Sequence, residues 1–347
     1  MRDRSVKVVI WGLGAMGSGM AKMLLKKKGF KICGVCDSNP NYVGLSLGEV
    51  LNLNHQGTII QGNIEDVVGM GTCDVVLLAT DSYTRSAYPK IKWLLEHKVN
   101  VISTAEEMAF PYASEPELAL QLDKLAKENG VTVLGTGVNP GMMMDLLVLF
   151  LTGVCEDINH IDVTRVNSLS PFGKTVMEEQ GVGITEDEFF QRKEMGEIAG
   201  HVGFKESVGM ISTGLGIEIE NFKQEMSPII TKVDRKSEYG FVEAANVAGV
   251  DMSCSGDYKS QEFISMRHPQ QIEPHLGGVN TGDFIKITGK PNFNMSITPE
   301  VNGGIGTIAI CVNMIPHVIN ATPGLKTMMD LPVPRAIMGD VRLLVDD

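Results

Sequence analysis

The sequence is poor in cysteine, short of positive charge and without a motif that binds a metal. Six cysteines are scattered through 347 residues, which excludes a disulfide-built scaffold and suits reduced thiols. The nearest pair, Cys33 and Cys36 in CGVC, falls within FKICGVCD, a stretch whose pattern predicts a strand. Residues three apart on a strand face opposite ways, so the pair reads as buried structural thiols and not as a redox couple. With 30 Lys and Arg against 42 Asp and Glu, a net charge of -12 and a pI near 5.1, the chain is not built for nucleic acid or an anionic membrane surface. Its longest apolar stretches, near MMMDLLVLFLTGV, fall short of the roughly 20 residues of a membrane helix, so no membrane is expected. The opening MRDRSVKVVIWGLGAMG puts basic residues before apolar ones, but glycines break the run and Lys22 follows before any small-residue cleavage site. It does not read as a secretory signal, and the expected location is cytoplasmic. HExxH, paired CxxC at zinc spacing and an acidic calcium loop are all missing, so no metal is expected.

What the chain does have is a hydrophobic fraction of 43% with 21% charged residues, the composition of a globular protein, at a length that suits two domains. Near its start WGLGAMGSGMA carries Gly12, Gly14 and Gly17 in the spacing GxGxxG. That spacing gains meaning from its surroundings. Val6 to Trp11 reads as a buried parallel strand, and Ser18 to Lys27 carries helical spacing at Met20, Met23 and Leu24. Gly12 permits the turn, Gly14 lets backbone approach a pyrophosphate, and Gly17 lets the helix pack on the strand. The turn Gly12, Leu13, Gly14, Ala15, Met16 and Gly17 is thus a candidate dinucleotide cradle whose amides meet phosphates. A second strand, Phe30 to Cys36, ends at Asp37 and Ser38, where a carboxylate accepts bonds from adenosine ribose hydroxyls. Asp37 favours NAD; Asn39 and its loop leave NADP open.

CDVVLLATDS (Cys73 to Ser82), KVNVISTAEEMAFP and VTVLGTGVNPG continue the alternation of strand and helix. Their carboxyl ends add Ala79, Thr80, Thr104 and Ala105 to the candidate cofactor residues. The fold class expected is α/β: a Rossmann-type doubly wound parallel sheet over residues 1–139, then a second α+β domain on a mixed sheet over 140–302. The second domain is expected because HIDVTRVNS, IEIENFKQEM, KSEYGFVEAANVAGVDM and DFIKITGKP alternate apolar and polar residues without regular helices between them. A C-terminal helical segment, 303–347, is expected to return to the first domain, and a homodimer is the expected assembly.

Chemistry is expected where parallel strands end. Glu106 and Glu107 in TAEEMAFP follow a strand, at the edge where a nicotinamide would lie, and either can serve as general base in a partly apolar pocket. Arg165 shares a strand face with Val163 and Asn167 and suits bidentate contact with a carboxylate, or a surface ion pair. His201 and His268 are candidates that fit structural roles equally well. A dinucleotide-sensing protein without turnover also fits the first domain taken alone.

WGLGAMGSGMA, VISTAEEMAFP, GTGVNPGMMMD and the C-terminal VINATPGLKTMMDLPVPRAIMGD together resemble the 2,4-diaminopentanoate dehydrogenase family, related to native amine dehydrogenases. The resemblance spans nearly the whole chain. It implies NAD(P)-dependent oxidative deamination of a small diamine at C4, giving 2-amino-4-oxopentanoate and ammonia, in ornithine degradation. It further implies catalysis by the AEE segment, Glu106 foremost, with Asn139, Arg165, Asn167, His201 and His268 lining the substrate. Action on another diamine or ketone is the alternative. The first domain and GTGVNPG also resemble dihydrodipicolinate reductase, but that enzyme's HHxxK and SGT-containing signature is missing.

Overall fold

The computed structural model describes residues 2–54, 57–69 and 72–346. In its first half, apolar runs form strands β1 (Val6–Trp11), β2 (Phe30–Cys36), β3 (Ile60–Gln61), β4 (Val75–Leu78), β5 (Asn100–Ser103) and β6 (Thr132–Gly135). All four residues of β4 are buried, so a strand covered on both faces reads as an unbroken apolar run. Between them lie helices α1 (Ala15–Leu25), α2 (Leu47–Leu51), α3 (Thr84–Glu96) and α4 (Pro116–Asn129). Helix α1 starts three residues earlier than the Ser18 expected, because Gly14 already takes extended dihedrals as its N-cap. Proline at the first turn of α4 and left-handed Gly130 after its end fix both boundaries.

The second half begins with α5 (Leu146–Thr152), the long strand β7 (Asp157–Ser168), α6 (Lys174–Glu179), α7 (Glu186–Glu194) and α8 (Phe204–Leu215). Thr185 caps α7 by accepting a bond from Glu188 N, so TEDEFF is a helix start. Strands β8 (Glu220–Ile230), β9 (Arg235–Lys236), β10 (Phe241–Val242), β11 (Val247–Tyr258), β12 (Gln261–Gln271), β13 (Gly282–Lys290) and β14 (Phe293–Ile297) follow. Helices α9 (Gly303–Asn313) and α10 (Ile315–Asn320) then lead to β15 (Gly324–Lys326).

Two compact units result. The first comprises Met1–Met142, Lys205–Met210 and Gly303–Asp347; the second comprises Met143–Phe204 and Ile211–Asn302. In the first, seven strands run in the order β15-β6-β5-β4-β1-β2-β3 and every pairing is parallel. The order reverses between β1 and β4, which makes that point of the carboxyl edge the ligand crevice of a doubly wound sheet. In the second, six strands run β14-β13-β7-β12-β11-β8, and only β7 with β12 is parallel. This is the mixed sheet that alternation implies. One face carries buried Ile161, Val163, Met252, Ile264, Met266, Ile285 and Ile287, while Asp162, Thr164, Ser253 and Ser265 point the other way.

Two expectations change. The helical run Gly303–Asn320, with mean hydropathy 1.3, is longer than the apolar stretch near Met142 that the sequence picks out. It packs as a core element: a Cβ on Gly19 of α1 would stand 2.1 Å from Ile308 Cδ1 of α9. Cys33 is exposed and not buried, because its side of β2 faces outward while Cys36 faces inward. All six cysteines are free. Burial pushes the thiols of Cys73, Cys254 and Cys311 up to about 12, which keeps them unreactive.

Candidate active site

The turn after β1 is made of backbone. Gly12 sits at φ 96°, and a Cβ there would stand 2.6 Å from Ala79 O and 2.8 Å from Thr80 Cγ2. Gly17 is tighter still: a Cβ would lie 1.7 Å from Gly12 O, with Ile10 Cγ2 at 3.3 Å. Helix and turn touch at a distance only glycine allows. Gly14 differs, since nothing lies within 4 Å of its Cβ position. Leu13 is buried, whereas Ala15 is exposed and Met16 half-buried beside that open side of the turn. A pyrophosphate fits there, against amides at the start of an 11-residue helix.

Asp37 braces the same turn. Its Oδ2 accepts from Leu13 N at 2.5 Å and its Oδ1 from Asn39 N at 2.7 Å. A carboxylate offers about four lone-pair directions, so two remain for ribose hydroxyls. Ser38 beside it is exposed. Beyond β4, Thr80 Oγ1 accepts from Lys90 Nζ at 2.9 Å, and Lys90 pairs with Asp81 at 2.7 Å. No motif marks that ion pair at the crevice.

Beyond β5, Thr104 N donates to Leu78 O and Ala105 N to Ser103 Oγ, which turns the chain into a short helical turn, Glu106–Ala109. The two glutamates, both half-buried, separate here. Glu107 Oε2 accepts from Thr84 N at 2.7 Å and its own N donates to Ser82 O, so it caps α3. Strands β1, β4 and β5 are neighbours spaced about 4.8 Å apart, which puts Glu106 about 10 Å along the edge from the phosphate turn. That is the reach of the nicotinamide half of a dinucleotide. Asn139 lies on the same edge, four residues past β6.

A third carboxyl group escaped the sequence. Glu206, 2% exposed, accepts from Ser114 Oγ. Burial raises its pKa above the ordinary carboxylate range against the opposing pull of the Ser114 bond, and the charge of Glu107 adds to the rise. Gly209 on the same helix admits Phe110 and Ala113, whose atoms would lie 2.9 and 3.0 Å from a Cβ. The chain that follows the glutamates is thereby held by buried contacts.

In the second unit Arg165, Asn167, His201 and His268 are brought together. His268 Nε2 donates to Asn167 Oδ1 at 2.8 Å, which makes this ring nitrogen the protonated one. The rings of His201 and His268 meet edge to face, centroids 4.6 Å apart. Burial, then the Arg165 charge, pushes His201 down to about 3, and His268 is lowered by burial, by His201 and by Arg165. Both are neutral imidazoles at neutral pH. Arg165 is paired within the unit. Its guanidinium, 2% exposed, is paired with Asp283 and with Val301 O, and Asp283 also accepts from Val301 N at 2.8 Å. It is turned to its own strand partner and forms a buried ion pair there. The signal for this lay in DFIKITGKP, an alternating stretch that puts Asp283 on a face. Among the described residues no group of three or more His, Cys, Asp or Glu is arranged to hold a metal.

A parallel sheet that aims bare amides and a glutamate along one carboxyl edge has the parts of an NAD(P)-dependent dehydrogenase, and comparison with known proteins agrees. Residues 142–347 match the family model described as 2,4-diaminopentanoate dehydrogenase C-terminal domain, and residues 6–107 match dihydrodipicolinate reductase, N-terminus. The chain is 57% identical to the 2,4-diaminopentanoate dehydrogenase of Acetoanaerobium sticklandii over 99% of its own length and 98% of the relative's. It is 22% identical to an amine dehydrogenase of Streptomyces virginiae over 96% and 98% of the two chains. The solved structure of an amine dehydrogenase from Mycobacterium smegmatis superposes with a TM-score of 0.87 at 26% identity, covering 97% of this chain and 99% of that one. The chain belongs to the 2,4-diaminopentanoate dehydrogenase family.

Proposed function

We propose that this oxidoreductase deaminates 2,4-diaminopentanoate at C4, with NAD(P) and water, to 2-amino-4-oxopentanoate and ammonia. The observation that carries this reading is near full-length identity of 57% to a relative of that name. Bound NAD(P) supplies the hydride acceptor. Glu106 takes the proton shed by the C4 ammonium before the iminium forms, releases it to solvent, then takes a proton from the attacking water and returns it to the departing ammonia. Glu107, tied to Thr84 N, fixes the turn that aims its neighbour. NADH formation from 2,4-diaminopentanoate, compared with a panel of simple amines, tests the reading.

A second reading is favoured by one observation. Arg165 is paired with Asp283, which weakens its draw on a substrate carboxylate, so an amine without that group is the second reading. The same panel separates the two. The cofactor preference we propose is NAD over NADP, on the carboxylate of Asp37. The compartment proposed is the cytoplasm, on six free thiols. A two-fold homodimer is the assembly proposed, and light scattering in solution tests it.

A further inference from the structure

Two carboxylates flank the phosphate turn, one after each neighbour of β1 in the sheet: Asp37 follows β2 and Asp81 follows β4. The stretch from Gly12 to Ala21 contains no charged residue, so the turn itself offers a pyrophosphate backbone amides and no cation. Asp37 is held by amides, those of Leu13 and Asn39. Asp81 is held by an ammonium: Lys90 Nζ stands 2.7 Å from its Oδ2 and 3.0 Å from its Oδ1.

Thr80 joins this ion pair to the turn. Its Oγ1 donates to Asp81 Oδ2 and accepts from Lys90 Nζ at 2.9 Å, while its Cγ2 stands 2.8 Å from where a Gly12 Cβ would lie. Asp81 is therefore one side chain removed from the residue that turns the chain beneath the phosphates. The side chain of Asp81 is 10% exposed and that of Lys90 31%. A carboxylate so placed, left alone, would repel a pyrophosphate, which carries a negative charge on each phosphate, and a partly buried pair of charges is screened less than an open one. Helix α3 brings the ammonium here: Glu107 accepts from Thr84 N in its first turn, and Lys90 stands six residues further on.

We propose that Lys90 is a positioning residue for the dinucleotide: it cancels the charge of Asp81 and holds Thr80 against Gly12, so that the crevice accepts the pyrophosphate. The inference rests on the dinucleotide reading of the turn and is independent of which amine is oxidised. It gives α3 a second duty, at the phosphates, besides receiving the cap of Glu107.

NADH binding, followed by fluorescence, tests this, with every Kd taken relative to the parent at the same salt. Lys90→Met keeps the stem and uncovers Asp81. Its Kd should rise roughly 10–30-fold at about 10 mM salt, where the Debye length is about 30 Å, and about threefold or less at about 1 M, where it is about 3 Å. In turnover the loss should fall on KM for NAD, with kcat at saturating NAD within about twofold of the parent. Lys90→Arg, which keeps the charge, should bind within about threefold. Asp81→Asn should move the other way and tighten NADH about threefold at low salt, since the Lys90 charge is then free to draw the phosphates, a gain that misfolding does not imitate. Lys90→Met combined with Asp81→Asn should recover most of the lost affinity. Normal binding by Lys90→Met at low salt, a loss that high salt and Asp81→Asn both leave in place, or weaker binding by Asp81→Asn alone would overturn the assignment. If the parent binds no NADH, the dinucleotide reading itself fails, and that is seen before any variant is made.

Discussion

The phosphate turn and the polar cluster of the second unit are built by opposite means. At the turn, side chains are withdrawn: Gly12 and Gly17 meet backbone at distances no Cβ tolerates, and Gly14 leaves its flank open. In the second unit, polar side chains are buried against each other, Arg165 on Asp283 and His268 on Asn167. A site of the first kind fails when an atom is added. The second kind fails when a partner is removed, because what remains is a buried group without compensation.

The largest effect should come from neither region but from the carboxyl edge between the phosphate turn and β6. Glu106→Gln keeps the shape of the side chain and removes its proton acceptance, so kcat should fall by roughly 10²–10⁴-fold while binding of NADH, followed by fluorescence, persists. Near-normal turnover would move the base elsewhere. Next comes Arg165→Met, which strands Asp283; about 3–5 kcal/mol of stability should be lost, seen in urea unfolding. Arg165→Met combined with Asp283→Leu should recover most of it. A single variant that stays fully stable and loses activity on carboxylate substrates alone would restore Arg165 to ligand binding.

Gly17→Ala tests the other mode. With the new methyl carbon 1.7 Å from Gly12 O, the turn must open, at a cost of at least the roughly 1–3 kcal/mol of an overpacked core, and NAD affinity should drop more than tenfold. Full affinity in this variant would mean the turn is more pliant than its geometry. Asp37→Ala should raise the ratio of kcat/KM for NADP over NAD by about tenfold or more, and it should also weaken both cofactors by releasing Leu13 N. An unchanged ratio would deny the ribose role.

The smallest effect concerns Glu206. Its folded pKa is raised, so its contribution to stability is complete below the unfolded value of about 4.3 and is lost as pH rises through the folded one. Melting temperature of the parent should therefore decline across that window relative to Glu206→Gln, whose amide does not titrate. Parallel pH profiles would show that folding does not raise the pKa of this carboxyl.

The same contrast explains what could be read from residues alone. Backbone sites are set by spacing, and Gly12, Gly14, Gly17 and Asp37 stand in order along 26 residues of one strand-turn-helix-strand unit. The glutamates were legible because a strand end is a local feature. The partner of Arg165, by contrast, lies 118 residues away and that of His268 lies 101 away, so nothing local distinguishes a guanidinium that faces a ligand from one that faces Asp283. Glu107 likewise looked equal to Glu106 until the start of α3 came beside it.

The final strand of the first sheet, β15, pairs with β6, although about 190 residues separate Gly135 from Gly324. On a ribosome adding roughly 5–20 residues per second, that interval lasts about 10–40 s. Throughout it the nascent sheet keeps an open parallel edge, apolar and four residues long, of the kind that recruits strange strands. The order of synthesis thus makes the second unit available to fold while the first still waits for its last strand, and yield in the cell should respond to translation speed and chaperone supply more than to any residue of the catalytic edge.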